Sequence, residues 1–146
     1  MRLLHVSLTA RNADQLSAFY REAFGFVERR APRRLSGAAV SRGNGLPDND
    51  IYSIWLHLPG HTEPFLEIME YAVTAPRGLP AVNAPGFGHL AFEVADLEET
   101  LQRLQRLGGS LQGEITNFGS DDQPYLIVYA RDLEGNILEL EQPSKS

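Results

Sequence analysis

The pattern of apolar and polar positions occurs twice along the chain. Residues 5–25 read HVSLTARNADQLSAFYREAFG and residues 89–108 read HLAFEVADLEETLQRLQRLG. Each segment begins with alternation, passes through a short polar turn and continues with the periodicity of an amphipathic helix. A second pair of segments also matches, FLEIME at 65–70 and ILELEQ at 137–142. Because similar segments recur in the same order, the sequence predicts two copies of one structural module.

Both predicted helices carry capping signals. In the first copy, Asn12 stands at the N-cap position and Gln15 follows three residues later, which is the spacing of a capping box. Asp96 and Glu99 repeat this arrangement in the second copy. The predicted helices end at glycines, Gly25 in the first copy and Gly108–Gly109 in the second.

Three strands are expected after each helix. They are placed near 36–42, 51–58 and 64–71 in the first copy and near 110–116, 124–131 and 136–142 in the second. Pro59-Gly60 and Glu134-Gly135-Asn136 supply the last hairpin turns. The prediction is an α+β fold of two tandem βαβββ modules with mixed sheets. It forms a single domain over 1–146, with module one at about 1–72, a linker at about 73–86 and module two at about 87–146.

Strand parity places one His and one Glu of each module on the same face. His5 alternates with apolar residues that must face the helix, and His89 does so in the repeat. Glu67 and Glu139 likewise point away from the helices. Glu70 has the opposite parity to Glu67, falls on the helix side and is excluded as a ligand.

Two imidazoles and two carboxylates are a ligand set for a divalent metal. Such a set suits Zn, Ni, Co, Mn or Fe(II) and leaves positions open for water or substrate. A single strand His or Glu is usually no ligand, but here both residue types recur in phase in both copies. The predicted metal ligands are His5, Glu67, His89 and Glu139. His57 and His61 have no counterpart in the repeat and are assigned no role.

Charge and composition narrow the class of protein. The net charge of −6 argues against a nucleic-acid partner, because such binding depends on neutralising phosphates. The absence of Cys excludes disulfides and thiolate ligands. No signal-peptide pattern and no long apolar run are present, so we expect a cytoplasmic protein that is not bound to a membrane.

A basic cluster stands apart from the predicted site. It consists of Arg29, Arg30, Arg33, Arg34 and Arg42. Two interpretations stay open: a solvated loop face, or a clamp for an anionic substrate, since the guanidinium fork matches carboxylates and phosphates.

Several segments together resemble a known superfamily. They are LLHVSL, FYREAFGF, FLEIMEY, GFGHLAFEVADLE and ARDLEGNILELEQ. The chain thereby resembles the glyoxalase I, bleomycin resistance protein and extradiol dioxygenase group, the vicinal oxygen chelate superfamily. The resemblance implies paired βαβββ modules around a metal that is chelated by adjacent oxygens of a small-molecule substrate.

The resemblance also bears on the four predicted ligands. In the glyoxalase I branch the metal is held by His, Glu, His and Glu, which fall here on His5, Glu67, His89 and Glu139. In the dioxygenase and fosfomycin-resistance branches two His and one Glu suffice, matching His5, His89 and Glu139, while bleomycin-binding members lack the metal residues. Thr9 and Tyr71 depart from the glyoxalase I pattern, which has Arg and Asn there, so metal chemistry is better supported than glutathione use.

The resulting hypothesis is a metal-dependent lyase or isomerase of the glyoxalase type. A metal-bound substrate loses a carbon-bound proton to form an enediolate, with Glu139 as first candidate base and Glu67 as second. The alternatives are a small-molecule-binding protein of the bleomycin-resistance kind and an Fe(II) extradiol dioxygenase. The resemblance further implies a homodimer whose sites combine His5 and Glu67 of one chain with His89 and Glu139 of the other.

Overall fold

The computed structural model describes residues 1–144, and the chain divides into two compact units. The first unit spans Met1–Arg77 and the second begins at Gly78, within the predicted linker. The elements of the first unit are β1 (His5–Ala10), α1 (Ala13–Phe24), β2 (Val27–Ser36), α2 (Ala38–Asn44), β3 (Asp50–His57) and β4 (Phe65–Tyr71). The elements of the second are β5 (Leu90–Glu93), α3 (Leu97–Arg106), β6 (Ser110–Leu111), β7 (Thr116–Asn117), β8 (Leu126–Arg131) and β9 (Ile137–Gln142).

The first unit contains a four-stranded mixed sheet. Its order is β1-β4-β3-β2, with β1 parallel to β4 and the other pairs antiparallel. Helix α1 packs on β1, β3 and β4. The large apolar side chains that this layer buries include Leu16, Phe19, Tyr20, Ile54, Leu56 and Ile68. Burying such apolar surface is the main stabilising contribution to the unit.

The second unit repeats this arrangement. Its sheet has the order β5-β9-β8-β6, and β7 pairs with β8. The strand β5 is parallel to β9, whereas β8 is antiparallel to β9. Helix α3 contacts β6, β8 and β9, and the buried residues here include Leu97, Leu104, Val128, Leu138 and Leu140. The predicted α+β architecture with mixed sheets is thus confirmed.

The helix termini follow the capping signals. The side chain of Asn12 accepts a hydrogen bond from the backbone N–H of Gln15 at 2.9 Å, and the side chain of Asp96 accepts one from the backbone N–H of Glu99 at 2.9 Å. Gly25 ends α1 with φ of 75°, a left-handed conformation that glycine adopts at little cost.

The first-copy strand predicted near 36–42 is wrong. Residues Ala38–Asn44 form helix α2, and the strand instead runs from Val27 to Ser36, through the arginine cluster. Gly37, with φ of 91°, separates the two elements. The strand was missed because its pairing shifts between Glu28 and Arg30 and again between Arg30 and Arg33, which breaks the alternation.

The second-copy strand predicted near 110–116 is only partly present. It is replaced by two short strands, β6 and β7, which both pair with β8. The other predicted strands agree with β3, β4, β8 and β9 to within two residues. Within residues 1–144, no helix is long and apolar enough to cross a membrane.

Candidate metal centre

In the first unit, His5 and Glu67 lie on neighbouring parallel strands. Ser7 of β1 is the partner of Glu67 on β4, and His5 precedes Ser7 by two residues on the same face. The Nε2 atom of His5 is 3.5 Å from Oε2 of Glu67. The imidazole is 40% exposed, whereas the carboxylate is 11% exposed, so the carboxylate forms the floor of the site.

The carboxylate of Glu67 is held by two donors on β3. Trp55, the strand partner of Glu67, donates from Nε1 to Oε1 at 2.8 Å. The Ser53 hydroxyl donates to the same oxygen at 3.1 Å. Because both bonds use Oε1, the other oxygen stays directed toward His5.

The second unit builds an equivalent pair. Ala91 of β5 is the partner of Glu139 on β9, and His89 again precedes that position by two residues. His89 Nε2 lies 2.6 Å from Glu139 Oε2. Tyr129 is the strand partner of Glu139 and donates from its hydroxyl to Oε2 at 3.2 Å. Tyr129 therefore occupies the place that Trp55 has in the first unit.

The supporting aromatic residues were not found from the sequence. Both aromatic residues are also linked to the histidine of their unit. The ring of Tyr129 meets the His89 imidazole edge-on at 5.2 Å. Trp55 packs on the Phe65 ring, which in turn contacts His5. Their signal in the sequence is that each lies one strand before a predicted ligand. It becomes usable only when the hairpin register is known.

The sheet face around Glu139 is strongly acidic. Glu93 and Glu141 are strand partners on the same face, and the Tyr125 hydroxyl donates to Glu141. That hydrogen bond raises the pKa of Tyr125, and burial followed by the charge of Glu139 raises the pKa of Tyr129. Both phenols therefore stay protonated donors at neutral pH, and the carboxylates favour a cation nearby.

The donor set fits a divalent metal. Two ligand atoms that bind one ion at about 2.0–2.2 Å lie roughly 3.0–3.5 Å apart. The separation of 3.5 Å between His5 Nε2 and Glu67 Oε2 matches this spacing without rearrangement. The separation of 2.6 Å between His89 Nε2 and Glu139 Oε2 is that of a direct hydrogen bond, so this pair must open slightly to admit an ion.

The four predicted ligands are thus brought together as two pairs. Within residues 1–144, no group of three or more His, Cys, Asp or Glu side chains is placed to hold a metal ion. Each pair offers one imidazole and one carboxylate, and a centre built from all four residues stays a prediction.

The excluded residues lie elsewhere. Glu70 faces the helix, where Oε2 accepts the Ala13 backbone N–H at 2.8 Å. In the second unit Gln142 accepts the Leu97 N–H at 2.7 Å in the same way. Both side chains cap the first turn of a helix, which explains why they alternate with the ligand positions. His57 lies 3.0 Å from the carbonyl of His61, within the β3–β4 turn.

Solved structures share this fold. A glyoxalase family protein from Bacillus cereus superposes with a TM-score of 0.87 at 23% identity, covering 99% of this chain and 95% of the other. Glyoxalase I from Zea mays gives a TM-score of 0.69 at 20% identity, with 99% of this chain and 46% of that chain covered. At these identities the likeness concerns the fold.

Curated relatives include two named epimerases. An ethylmalonyl-CoA/methylmalonyl-CoA epimerase of Cereibacter sphaeroides is 25% identical over 97% of both chains. The mitochondrial methylmalonyl-CoA epimerase of Homo sapiens is 22% identical over 97% of this chain and 73% of its own length. The profile of one family matches residues 2–140. The chain therefore belongs to the Glyoxalase/Bleomycin resistance protein/Dioxygenase superfamily.

Proposed function

We propose that this protein is a divalent-metal-dependent epimerase that moves a proton at the carbon between a thioester carbonyl and a carboxylate. The observation that carries the proposal is the repeated pair of a His and a largely buried Glu, each Glu with an aromatic donor on the neighbouring strand. The names of the relatives from Cereibacter sphaeroides and Homo sapiens support a CoA thioester as the substrate class.

The residues that hold the metal in this proposal are His5, Glu67, His89 and Glu139. When bound, the metal supplies a Lewis acid that stabilises the negative charge developing on the substrate oxygens as the proton leaves. Trp55 and Ser53 orient Glu67, and Tyr129 orients Glu139. Such outer partners keep a ligand in one rotamer, which lowers the entropy lost on binding.

Epimerisation requires one group that removes the proton and another that returns it to the opposite side of the planar carbon. The chain offers two carboxylates for this purpose, in equivalent places of the two modules. We assign removal of the proton to Glu139, because among residues 1–144 its carboxylate meets one hydroxyl donor, Tyr129 at 3.2 Å, besides its contact with His89. Glu67, whose Oε1 has two donors, is the more rigid group and takes the second role.

The proposed assembly is a homodimer with shared sites. Each pair supplies two ligands, whereas catalytic metal sites have three or more protein ligands. A twofold axis would add the His89–Glu139 pair of one chain to the His5–Glu67 pair of the other and would generate two equivalent sites.

The test measures metal content and proton exchange in parallel. Purified protein is analysed for bound metal, and the loss of the α-proton of methylmalonyl-CoA in D₂O is followed by NMR. We expect stoichiometric metal and exchange that stops when a chelator removes it. A hemithioacetal of glutathione and a catechol under air serve as rival substrates for a lyase and a dioxygenase. Metal-independent binding without turnover of any of the three would favour a small-molecule-binding protein and contradict the proposal.

A further inference from the structure

Two arginines of β2 lie on the same sheet face as Glu67. Arg30 is the strand partner of Trp55, and Arg33 is the partner of Ser53. These are the two residues of β3 that donate to Glu67. Strand partners project to the same side of a sheet, so both guanidinium groups belong to the face of the metal ligands.

Arg30 is positioned by Trp55. Its guanidinium carbon lies 3.8 Å from the centroid of the Trp55 ring, a cation–π contact. The same indole donates to Glu67 from Nε1, so a single side chain separates the cation from the proposed metal ligand. Arg30 Nη1 donates to the Ala31 carbonyl at 3.3 Å, while Nε is buried and has no hydrogen-bond partner among residues 1–144. A buried N–H without a partner is costly, so the guanidinium has donor capacity that this face does not satisfy.

Neither Arg30 nor Arg33 forms an ion pair with a carboxylate in the described part of the chain, residues 1–144. Their neighbours in sequence are paired, Arg29 with Glu63 at 3.8 Å and Arg34 with Asp50 at 3.6 Å. Burial and the adjacent charge of Arg33 lower the pKa of Arg30, and the charge of Glu67 opposes them. An anion bound between the two guanidinium groups would offset their mutual repulsion.

We propose that Arg30 and Arg33 form a subsite for the free carboxylate of a dicarboxylic acyl substrate. The inference rests on the proposed function and specifies which part of the substrate this face recognises. A carboxylate is favoured over a phosphate of the CoA carrier because the subsite is only one side chain from Glu67. The carboxylate is one bond from the reacting carbon, whereas the phosphates are many bonds away.

The chain contains a single Trp, and it is the residue under Arg30. Its fluorescence therefore reports binding at this place. Metal-loaded protein is titrated at constant ionic strength with methylmalonate, with propionate, which lacks the second carboxylate, and with inorganic phosphate. Calorimetry gives the dissociation constants for the variants Arg30→Gln, Arg33→Gln and Arg34→Gln. Arg34 is the matched control, because it is paired with Tyr52 on the helix side of the same strand.

We expect methylmalonate to bind at least tenfold more tightly than propionate and to change the fluorescence of Trp55. Arg30→Gln should weaken the binding of methylmalonate by about 10- to 100-fold, which is the effect of losing a charge-assisted hydrogen bond. The affinity for propionate should change little. Arg33→Gln should also weaken the binding of methylmalonate. Because Arg33 is exposed, this variant keeps the test available if Arg30→Gln fails to fold. Arg34→Gln should bind like the wild type.

Equal methylmalonate affinity in wild type, Arg30→Gln and Arg33→Gln would overturn the subsite. Tighter binding of phosphate than of methylmalonate, lost in Arg30→Gln, would assign the arginines to a phosphate and overturn the carboxylate assignment. The result is separable from the proposed function. If the diacid binds in an arginine-dependent way but no α-proton exchange occurs, the subsite is retained and the epimerase proposal is wrong. If α-proton exchange occurs and neither substitution affects it, the epimerase proposal is retained and the subsite is wrong.

Discussion

Trp55 is the strand partner of Glu67 and donates a 2.8 Å hydrogen bond to its carboxylate. Tyr129 has the same relationship to Glu139, at 3.2 Å. The two units thus repeat the proposed metal-binding carboxylates together with the donors that orient them. Each carboxylate is therefore held by a donor on the hydrogen-bonded neighbouring strand, and no loop is needed to position that donor.

Replacing Trp55 with Phe tests this support. The substitution keeps an aromatic ring under Arg30 and removes the Nε1 donor to Glu67. We expect metal affinity and turnover to fall by about 10- to 100-fold, the usual effect of losing an outer partner of a ligand. Competition with a chromogenic chelator measures the affinity. Tyr52→Phe is the control, since Tyr52 is on the same strand but hydrogen-bonds to Asp14 on the helix side. Equal metal affinity in both variants would contradict the role of Trp55.

Glutamate-to-glutamine substitutions should separate ligand from structural positions. Glu67→Gln and Glu139→Gln should each reduce turnover by orders of magnitude, because an amide is a poor metal ligand and cannot accept the proton. Glu70→Gln should leave turnover near the wild-type value, since Gln142 already performs the equivalent capping role in the second unit. The assay is the initial rate of α-proton exchange. A severe loss in Glu70→Gln with none in Glu67→Gln would exchange the two assignments.

The shared site predicts complementation between inactive variants. His5→Ala and His89→Ala homodimers should both be inactive, whereas a mixed dimer should regain one intact site and up to half of the wild-type activity per dimer. Subunit exchange is verified by native mass spectrometry of differently tagged chains. If exchange occurs and activity does not return, the ligands are not shared between chains. A monomeric mass at assay concentration would equally contradict the shared site.

Alkaline pH should weaken one link between α1 and the sheet. Burial, together with the hydrogen bond to Asp14 and its charge, raises the pKa of Tyr52 above its ordinary value near 10. The stabilisation by this phenol is therefore complete below about pH 10 and is lost as the pH rises through the higher folded-state pKa. We expect the free energy of unfolding of the wild type to exceed that of Tyr52→Phe by about 0.5–1 kcal/mol at pH 8, because solvent partly screens this hydrogen bond. Urea unfolding at pH 8 and above pH 10 measures the difference, which should shrink in the alkaline series. A difference that is independent of pH would rule out this coupling.

The β8–β9 turn should depend on one buried carboxylate. Asp132 is 2% exposed and accepts the backbone N–H groups of Glu134 and Asn136, each at 2.9 Å, and the Asn136 amide at 2.8 Å. Asp132→Ala should lower the free energy of unfolding by about 2–4 kcal/mol, because several buried donors lose their acceptor. Denaturant unfolding gives the value. Asp121→Ala, on an exposed loop, should change stability by less than about 0.5 kcal/mol. Similar losses in the free energy of unfolding for the two variants would contradict the proposed role of Asp132 in the turn.

Much of the scaffold could be read from the sequence because its signals are local. Helix periodicity, N-caps at Asn12 and Asp96 and a stop at Gly25 depend on residues within a few positions of one another. Strand parity, with a period of two, also separated Glu67 from Glu70 correctly. The internal repeat added long-range information, since it showed that the same residue types recur in equivalent places.

The remaining features depend on pairing between distant segments. The bulges of β2 at Glu28/Arg30 and Arg30/Arg33 break its alternation, so no periodic pattern marks it as a strand. Trp55 and Tyr129 acquire their roles only from the register that sets each opposite a glutamate. From the chain alone it was possible to predict the repeated module, the extent of α1 and the start of α3, and the sheet side that carries His5, Glu67, His89 and Glu139, whereas α2 was taken for a strand. The donors that hold the carboxylates and the arginines that share their face became known from the fold, because cross-strand register is a non-local property that no short stretch of chain encodes.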